Sequence, residues 1–152
     1  MAESRHLDAE PQPDPVRLKA LVVDDQELNR RVMNILLREF GCCATLAASG
    51  EEGVEYAAGA RFDIIFMDLN MPGLDGDAAT RRIRAGGASR RAYIVRWTTE
   101  PVSWLEAGLY DNEASKPITL PALARVIAEV RWRASRDLGS IRLETERPTL
   151  RP

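Results

Sequence analysis

Two strongly apolar runs, each closed by aspartate, constrain this chain more than any other feature. LKALVVDD ends at Asp24 and Asp25, and FDIIFMD ends at Asp68. Continuous apolar runs of this length suit strands covered on both faces, hence a parallel sheet between layers of helix. The intervening segments supply those layers. QELNRRVMNILLREFG sets Leu28, Val32, Ile35, Leu36 and Phe40 at helical spacing, with Gly41 as its stop. CATLAAS reads as a second strand, and Ser49 with Glu52 three residues on reads as the cap of a short helix. After Asp68 come a turn-rich loop, a short helix in DAATRRIRAGG and a strand in AYIVRWTT. EPVSWLEAGL gives a short fourth helix, and NEASKPI a polar fifth strand. TLPALARVIAEVRWRA gives the last helix, capped by Thr119, with Leu120, Leu123, Ala124, Ile127 and Val130 on its apolar face. Strand and helix alternate five times, which implies a doubly wound α/β sheet with right-handed crossovers.

At 152 residues the chain has room for one domain of ordinary size. Residues 1–16 are acidic and proline-rich and read as a disordered leader or linker; residues 17–134 form the domain. Residues 135–152, with mixed charges and two prolines, read as a flexible tail. No apolar run is long enough to span a membrane, and the leader has no apolar core for secretion, so a cytoplasmic protein is expected. The net charge of -2 offers no broad basic field for nucleic acid, and the arginines of the tail are interleaved with acids. Cys42 and Cys43 are neighbours, a poor arrangement for a disulfide or a structural zinc site. The lone His6 lies in the leader, which excludes histidine-based catalysis in the domain.

In open parallel sheets ligands bind beyond the carboxyl ends of the strands. Those ends hold Asp24 and Asp25, then Asp68, then Thr98 and Thr99, then Ser115, Lys116 and Pro117. Three carboxylates in one cleft repel and need opposite charge. A hard divalent cation supplies it, and Mg²⁺ suits carboxylates, a carbonyl and waters. Lys116 supplies more. Of 21 basic residues only Lys19 and Lys116 are lysine. A compact ammonium reaches one phosphoryl oxygen as a point charge, where arginine would present a fork. Thr98 offers a hydroxyl for another.

LVVDD, FMDLNMPGLDG, the Thr98 strand end and SKPI together resemble the response-regulator receiver domain of two-component signalling, from Leu18 to Arg133. QELNRRVMNILLREFG is similar to the receivers attached to hybrid histidine kinases. The resemblance implies a flavodoxin-like sheet of five parallel strands in the order 2-1-3-4-5, with five helices of which the fourth is shortened. It implies that Asp68 is the phosphoacceptor, Thr98 the switch hydroxyl and Lys116 the phosphoryl-binding lysine. It implies Mg²⁺ bound directly by Asp25 and Asp68, by Asp24 mainly through water, and by the backbone carbonyl of Asn70. Pro117 completes a Lys-Pro step that is often cis in the family. The implied partners are a histidine kinase or histidine phosphotransfer protein and a downstream protein. The implied chemistry is the domain's own phosphoryl transfer and dephosphorylation, with no external substrate turned over. A receiver-fold protein-binding module that does not switch by phosphorylation is the alternative. An aspartyl-phosphate hydrolase would carry a DxD pattern, whereas Asp68 is followed by Leu69 and Asn70.

The chain departs from the family pattern at three places. Thr99 stands where a small residue usually follows the switch threonine, and Glu113 stands where Tyr or Phe usually precedes the lysine by three. Only 18 positions separate Thr98 from Lys116, fewer than usual, and helix four must absorb the shortfall. Arg96 lies two residues before Thr98 and so on the same strand face. A buried Arg or Glu alone is costly, whereas a pair is tolerable. An Arg96–Glu113 ion pair across strands four and five is therefore expected in place of the threonine–aromatic coupling.

Overall fold

The computed structural model describes residues 17–101 and 106–145, with side chains to Asp137; the expected leader, 1–16, lies outside the described residues. In chain order the elements are β1 (Lys19–Val23), α1 (Glu27–Glu39), β2 (Cys43–Ala47), α2 (Gly50–Gly59), β3 (Ile64–Asp68), α3 (Gly76–Ala85), β4 (Tyr93–Thr98), β5 (Asn112–Ser115) and α4 (Leu120–Thr145). All neighbouring strands pair in parallel, in the order β2-β1-β3-β4-β5. The expected sheet is therefore present.

The expectation of five helices is not met, because four are found among the described residues. Of the segment expected to form the short fourth helix, residues 102–105 lie outside the described set. The described remainder is bend and turn. Its chemistry explains why: Pro101 has no N–H to donate, and Gly108 sits at φ +81°, a left-handed conformation that ends a helix. Helix α4 runs past Ala134 as far as Thr145. That stretch, SRDLGSIRLET, has two leucines and two arginines among weaker helix formers, and no proline before position 148 interrupts it. Thr119 caps this helix as expected, its hydroxyl accepting the Ala122 N–H at 3.2 Å.

The core has two layers. Val22, Phe66 and Val95 pack with Met33 and Leu37 of α1 and Leu123 and Ile127 of α4. On the other sheet face, Leu21, Ile65 and Ile94 pack with Ala57 of α2 and Ala79 and Ile83 of α3. Every residue of β3 and β4 is buried, as their apolar runs require. Helix α2 lies close to β1 because position 53 is glycine. A Cβ there would come within 2.8 Å of the Val23 side chain. Helix α1 is amphipathic at the expected period but turned from the expected phase. Met33 and Leu37 are buried, whereas Leu28, Val32 and Ile35 are 71%, 44% and 61% exposed. The helix carries more apolar residues than its contact stripe can cover.

The edge of the sheet carries the expected ion pair. Arg96 and Glu113 are register partners across β4 and β5. A guanidinium nitrogen of Arg96 lies 3.7 Å from Glu113 Oε2, with both side chains at most 15% exposed. The Arg96 guanidinium also sits over the Tyr110 ring, 5.9 Å from its centroid. The Tyr110 hydroxyl in turn donates to Asp77 Oδ1 at 2.6 Å, in the first turn of α3. Arg96 is thus held between a carboxylate and an aromatic face whose hydroxyl is anchored elsewhere. A double-mutant cycle on Arg96→Met and Glu113→Gln, read by urea unfolding, should give a coupling above the ~1 kcal/mol of an exposed pair. Additive effects would mean that the contact carries no energy.

Candidate functional site

The site is assembled by strand order. Val23 of β1 pairs with Met67 of β3, so the next residues, Asp24 and Asp68, leave adjacent strands side by side. On the far side of β3, Asp68 pairs with Trp97 of β4. Strand β5 delivers Lys116 to the same edge. The Lys116 backbone N–H donates to the Thr98 carbonyl at 2.9 Å, and the Lys116–Pro117 bond is cis, as the family pattern suggests. Position 76 must be glycine for the loop after Asp68 to close, because a Cβ there would collide with the Asp68 carbonyl group.

Lys116 is the centre of the arrangement. Its Nζ lies 2.9 Å from Asp68 Oδ1 and 2.5 Å from Asp24 Oδ2, and 4.6 Å from the centroid of the Trp97 ring. Asp24 is fully buried, and its other contacts are just as definite. Oδ1 accepts the Gln26 N–H at 2.8 Å, and Oδ2 also accepts from the Asn29 amide at 3.1 Å. Arg30 donates to the Asp24 backbone carbonyl. Asp25 is exposed, and its carboxylate has no hydrogen bond or ion pair among the described residues. Oxygens of Asp24, Asp25 and Asp68 all lie within 4.8 Å of one another. Three hard oxygen donors this close fit a divalent cation such as Mg²⁺. Burial raises the Asp68 carboxyl above its ordinary pKa; the hydrogen bond from Lys116 opposes that rise, and the negative charges of Asp24 and Asp25 reinforce it.

Beside these carboxylates lies a cleft of about 480 Å³. Asp68, Asn70, Trp97, Thr99, Lys116 and Pro117 line its floor and one wall, and Leu28 and Val32 of α1 line the other. Of the expected site residues, Asp68, Asn70 and Lys116 line the cleft, whereas Asp24, Asp25 and Thr98 do not. Thr98 is the farthest from the expected role. It is buried at the end of β4, and its hydroxyl accepts the Glu100 N–H at 3.1 Å. Asn29, Gln26 and Trp97 were not expected at the site. Asn29 sits a helical turn after Asp25, so a polar side chain pointing back at the strand end was its only sequence signal. Trp97 could have been found by alternation, since it occupies the β4 face opposite that of Thr98.

The raised Asp68 pKa fixes the sign of a pH effect. The native state holds the Asp68 proton more tightly than the unfolded chain, so protonation favours folding at low pH. As pH rises from the ordinary carboxylate range through the raised pKa, that advantage is lost, and above it the penalty is constant. Urea unfolding in metal-free buffer should therefore show Asp68→Asn gaining stability relative to the parent chain across that window, with a plateau above it. A difference that is flat with pH would contradict the raised value.

Known proteins resemble this chain in sequence and in shape. The pattern of the response regulator receiver domain matches residues 20–127. A two-component response regulator of Arabidopsis thaliana is 34% identical over 122 residues, covering 76% of this chain and 86% of the relative. Hybrid signal transduction histidine kinase A of Dictyostelium discoideum is 37% identical over 127 residues, 78% of this chain but 6% of the kinase. The chain thus spans a small part of such kinases. Among solved structures, the chemotaxis protein CheY4 of Vibrio cholerae superposes with a TM-score of 0.69 at 28% identity, covering 75% of this chain and 98% of that one. The receiver domain of a Pseudomonas aeruginosa sensor histidine kinase, with a magnesium ion in its active site cleft, gives 0.67 at 31% identity, covering 76% and 98%.

Proposed function

The chain belongs to the response regulator receiver domain family, and on that premise we propose that it carries a phosphoryl group on Asp68 within a two-component phosphorelay. The observation that carries this reading is the Lys116 ammonium shared by Asp68 and Asp24 beside a third carboxylate. A nucleophilic carboxylate needs its charge balanced and its position fixed, and this arrangement does both.

The Asp68 carboxylate attacks the phosphorus of a phosphohistidine. The new O–P bond makes an acyl phosphate as the P–N bond breaks, and the imidazole leaves with the bonding pair. Lys116 takes one phosphoryl oxygen while Asp24, tied to Gln26 and Asn29, keeps the ammonium in place. Asp25 and Asp68, with the Asn70 carbonyl and with Asp24 through water, would hold Mg²⁺, which neutralises the converging negative charge. Thr98 would give up the Glu100 N–H for a phosphoryl oxygen, and that exchange moves the loop after β4. Nothing but its own phosphoryl group is turned over. A cytoplasmic setting is supported by free Cys42 and Cys43 and by the finding that no helix among the described residues is long and apolar enough to cross a membrane.

The phosphodonor is a histidine kinase or a histidine phosphotransfer protein. Exposed Leu28, Val32 and Ile35 support protein docking at this side of the cleft, because they form an apolar stripe on α1 and the first two line the cleft itself. The alternative is a binding module that does not switch by phosphorylation. It is favoured by one observation, the Arg96–Glu113 pair standing where the family couples threonine to an aromatic ring.

Two experiments decide. Intact-mass analysis after treatment with Mg²⁺ and acetyl phosphate should show one added phosphate, absent from Asp68→Ala. A product of full yield in that variant would move the acceptor elsewhere, and no product in the parent chain would favour the binding module. Ile35→Glu should slow transfer from a phosphorylated histidine protein by about tenfold or more while leaving acetyl phosphate labelling unchanged, since about 1.4 kcal/mol of lost docking suffices. Equal slowing with both donors would place the defect in the site and not in docking.

A further inference from the structure

A second concave surface lies at the opposite end of the sheet from Asp68. It has a volume of about 820 Å³ and is formed where β3 and β4 begin and α4 passes over them. Five arginines line it against two aspartates, a net of +3 on a chain whose total charge is -2. The arginines fall into two groups. Arg61, Arg90 and Arg91 are exposed on one rim and make no side-chain hydrogen bond or ion pair among the described residues. Elsewhere in the chain Arg31, Arg81, Arg84 and Arg96 each meet a carboxylate. On the other rim the Arg133 and Arg136 guanidinium carbons lie over aromatic rings, 4.7 Å from the centroid of Tyr93 and 4.8 Å from that of Trp132.

The two aspartates offset only part of this charge: Asp63, whose Oδ2 accepts the Lys19 backbone N–H at 2.8 Å, lies two residues from Arg61, and Asp137 is carried on α4. Three exposed guanidinium groups lining one concave surface repel one another and favour a polyvalent anion between them. Guanidinium forks match phosphate oxygens better than any other side chain does. The opposite rim presents cation–aromatic contacts, with Trp132 just over half exposed, and an exposed indole takes a flat ring. The volume falls within the range of pockets that hold small ligands.

We infer that this groove binds a nucleoside phosphate, with its phosphates on Arg61, Arg90 and Arg91 and its base against the Trp132 rim. The ligand is either a free nucleotide or one unit of a single strand, which share this chemistry. The inference is independent of phosphoryl transfer at Asp68, because the groove shares no residue with that cleft.

Calorimetric titration of the full chain with ATP tests it. EDTA is included to remove divalent metal, so the carboxylate cleft can only repel the ligand, and salt is kept near ~50 mM to limit screening. Saturable binding is expected, weakened about tenfold or more in the Arg61→Gln, Arg90→Gln, Arg91→Gln triple variant. Trp132→Ala should weaken ATP but not inorganic pyrophosphate. Competition by a short oligothymidine would assign the source as a single strand, and its absence would assign a free nucleotide; either supports the site. No saturable binding, unchanged affinity in the triple variant, or pyrophosphate binding as tight as ATP would overturn it. Acetyl phosphate labelling of the triple variant reports separately on Asp68 and on whether the variant is folded.

Discussion

The ammonium of Lys116, lodged between Asp24 and Asp68, is the contact on which the carboxyl edge of this sheet depends. It joins the end of β5 to the ends of β1 and β3, so the edge strand is tied electrostatically to the centre. A pair this buried is not evidence of high stability, because desolvation offsets much of the attraction. Its value lies in what its absence would leave. Two carboxylates, one wholly buried, would face each other with nothing between them. Asp24 is held in position for this contact: its oxygens accept from the Gln26 N–H and the Asn29 amide. The Trp97 ring beneath the ammonium adds a weaker attraction that needs no counter-ion.

Asp68 is therefore poised between opposing influences. Burial and two neighbouring carboxylates disfavour its charge, and Lys116 supports it. Under the proposed function, a phosphoryl group arriving there would add negative charge to a place that already has much of it, and only further positive charge would hold it. Asp25, exposed and without a partner among the described residues, and the close-set oxygens are where that charge could be accepted. The fold thus leaves the charge compensation of Asp68 incomplete.

Much of this was legible in the residues, because chemistry sits at strand ends and the apolar runs mark the strands. Asp24, Asp25, Asp68 and Lys116 were readable in that way, and so was the Arg96–Glu113 pair, which needs only alternation and strand adjacency. What was not legible depends on phase and on neighbours. The period of α1 is visible in its sequence, but which apolar stripe turns inward is decided by the sheet it meets. That is why Leu28 and Ile35 came out exposed while Met33 and Leu37 are buried. The reach of α4 was hidden because a charged, moderately helix-prone stretch looks the same in a tail. The arginine groove was invisible because Arg61, Arg90 and Arg133 are far apart in the chain and meet only where strands begin.

Helix α4 has a mechanical consequence. Its last buried residue among those described is Val130, and it continues to Thr145. Past Val130 the helix is still tied to the rest of the domain, by Arg131 on the Phe40 carbonyl and by Arg133 on Asp111 and over Tyr93. From Arg133 to Thr145 it runs about 18 Å further along its axis. The root packs through Leu123, Val126 and Ile127 on the sheet face that also carries Trp97, the ring under Lys116. One helix thus touches both ends of the sheet, through Leu123 and Ile127 beneath the ring that carries Lys116 and through Arg133 where β4 begins, so it spans mechanically what the strands span covalently.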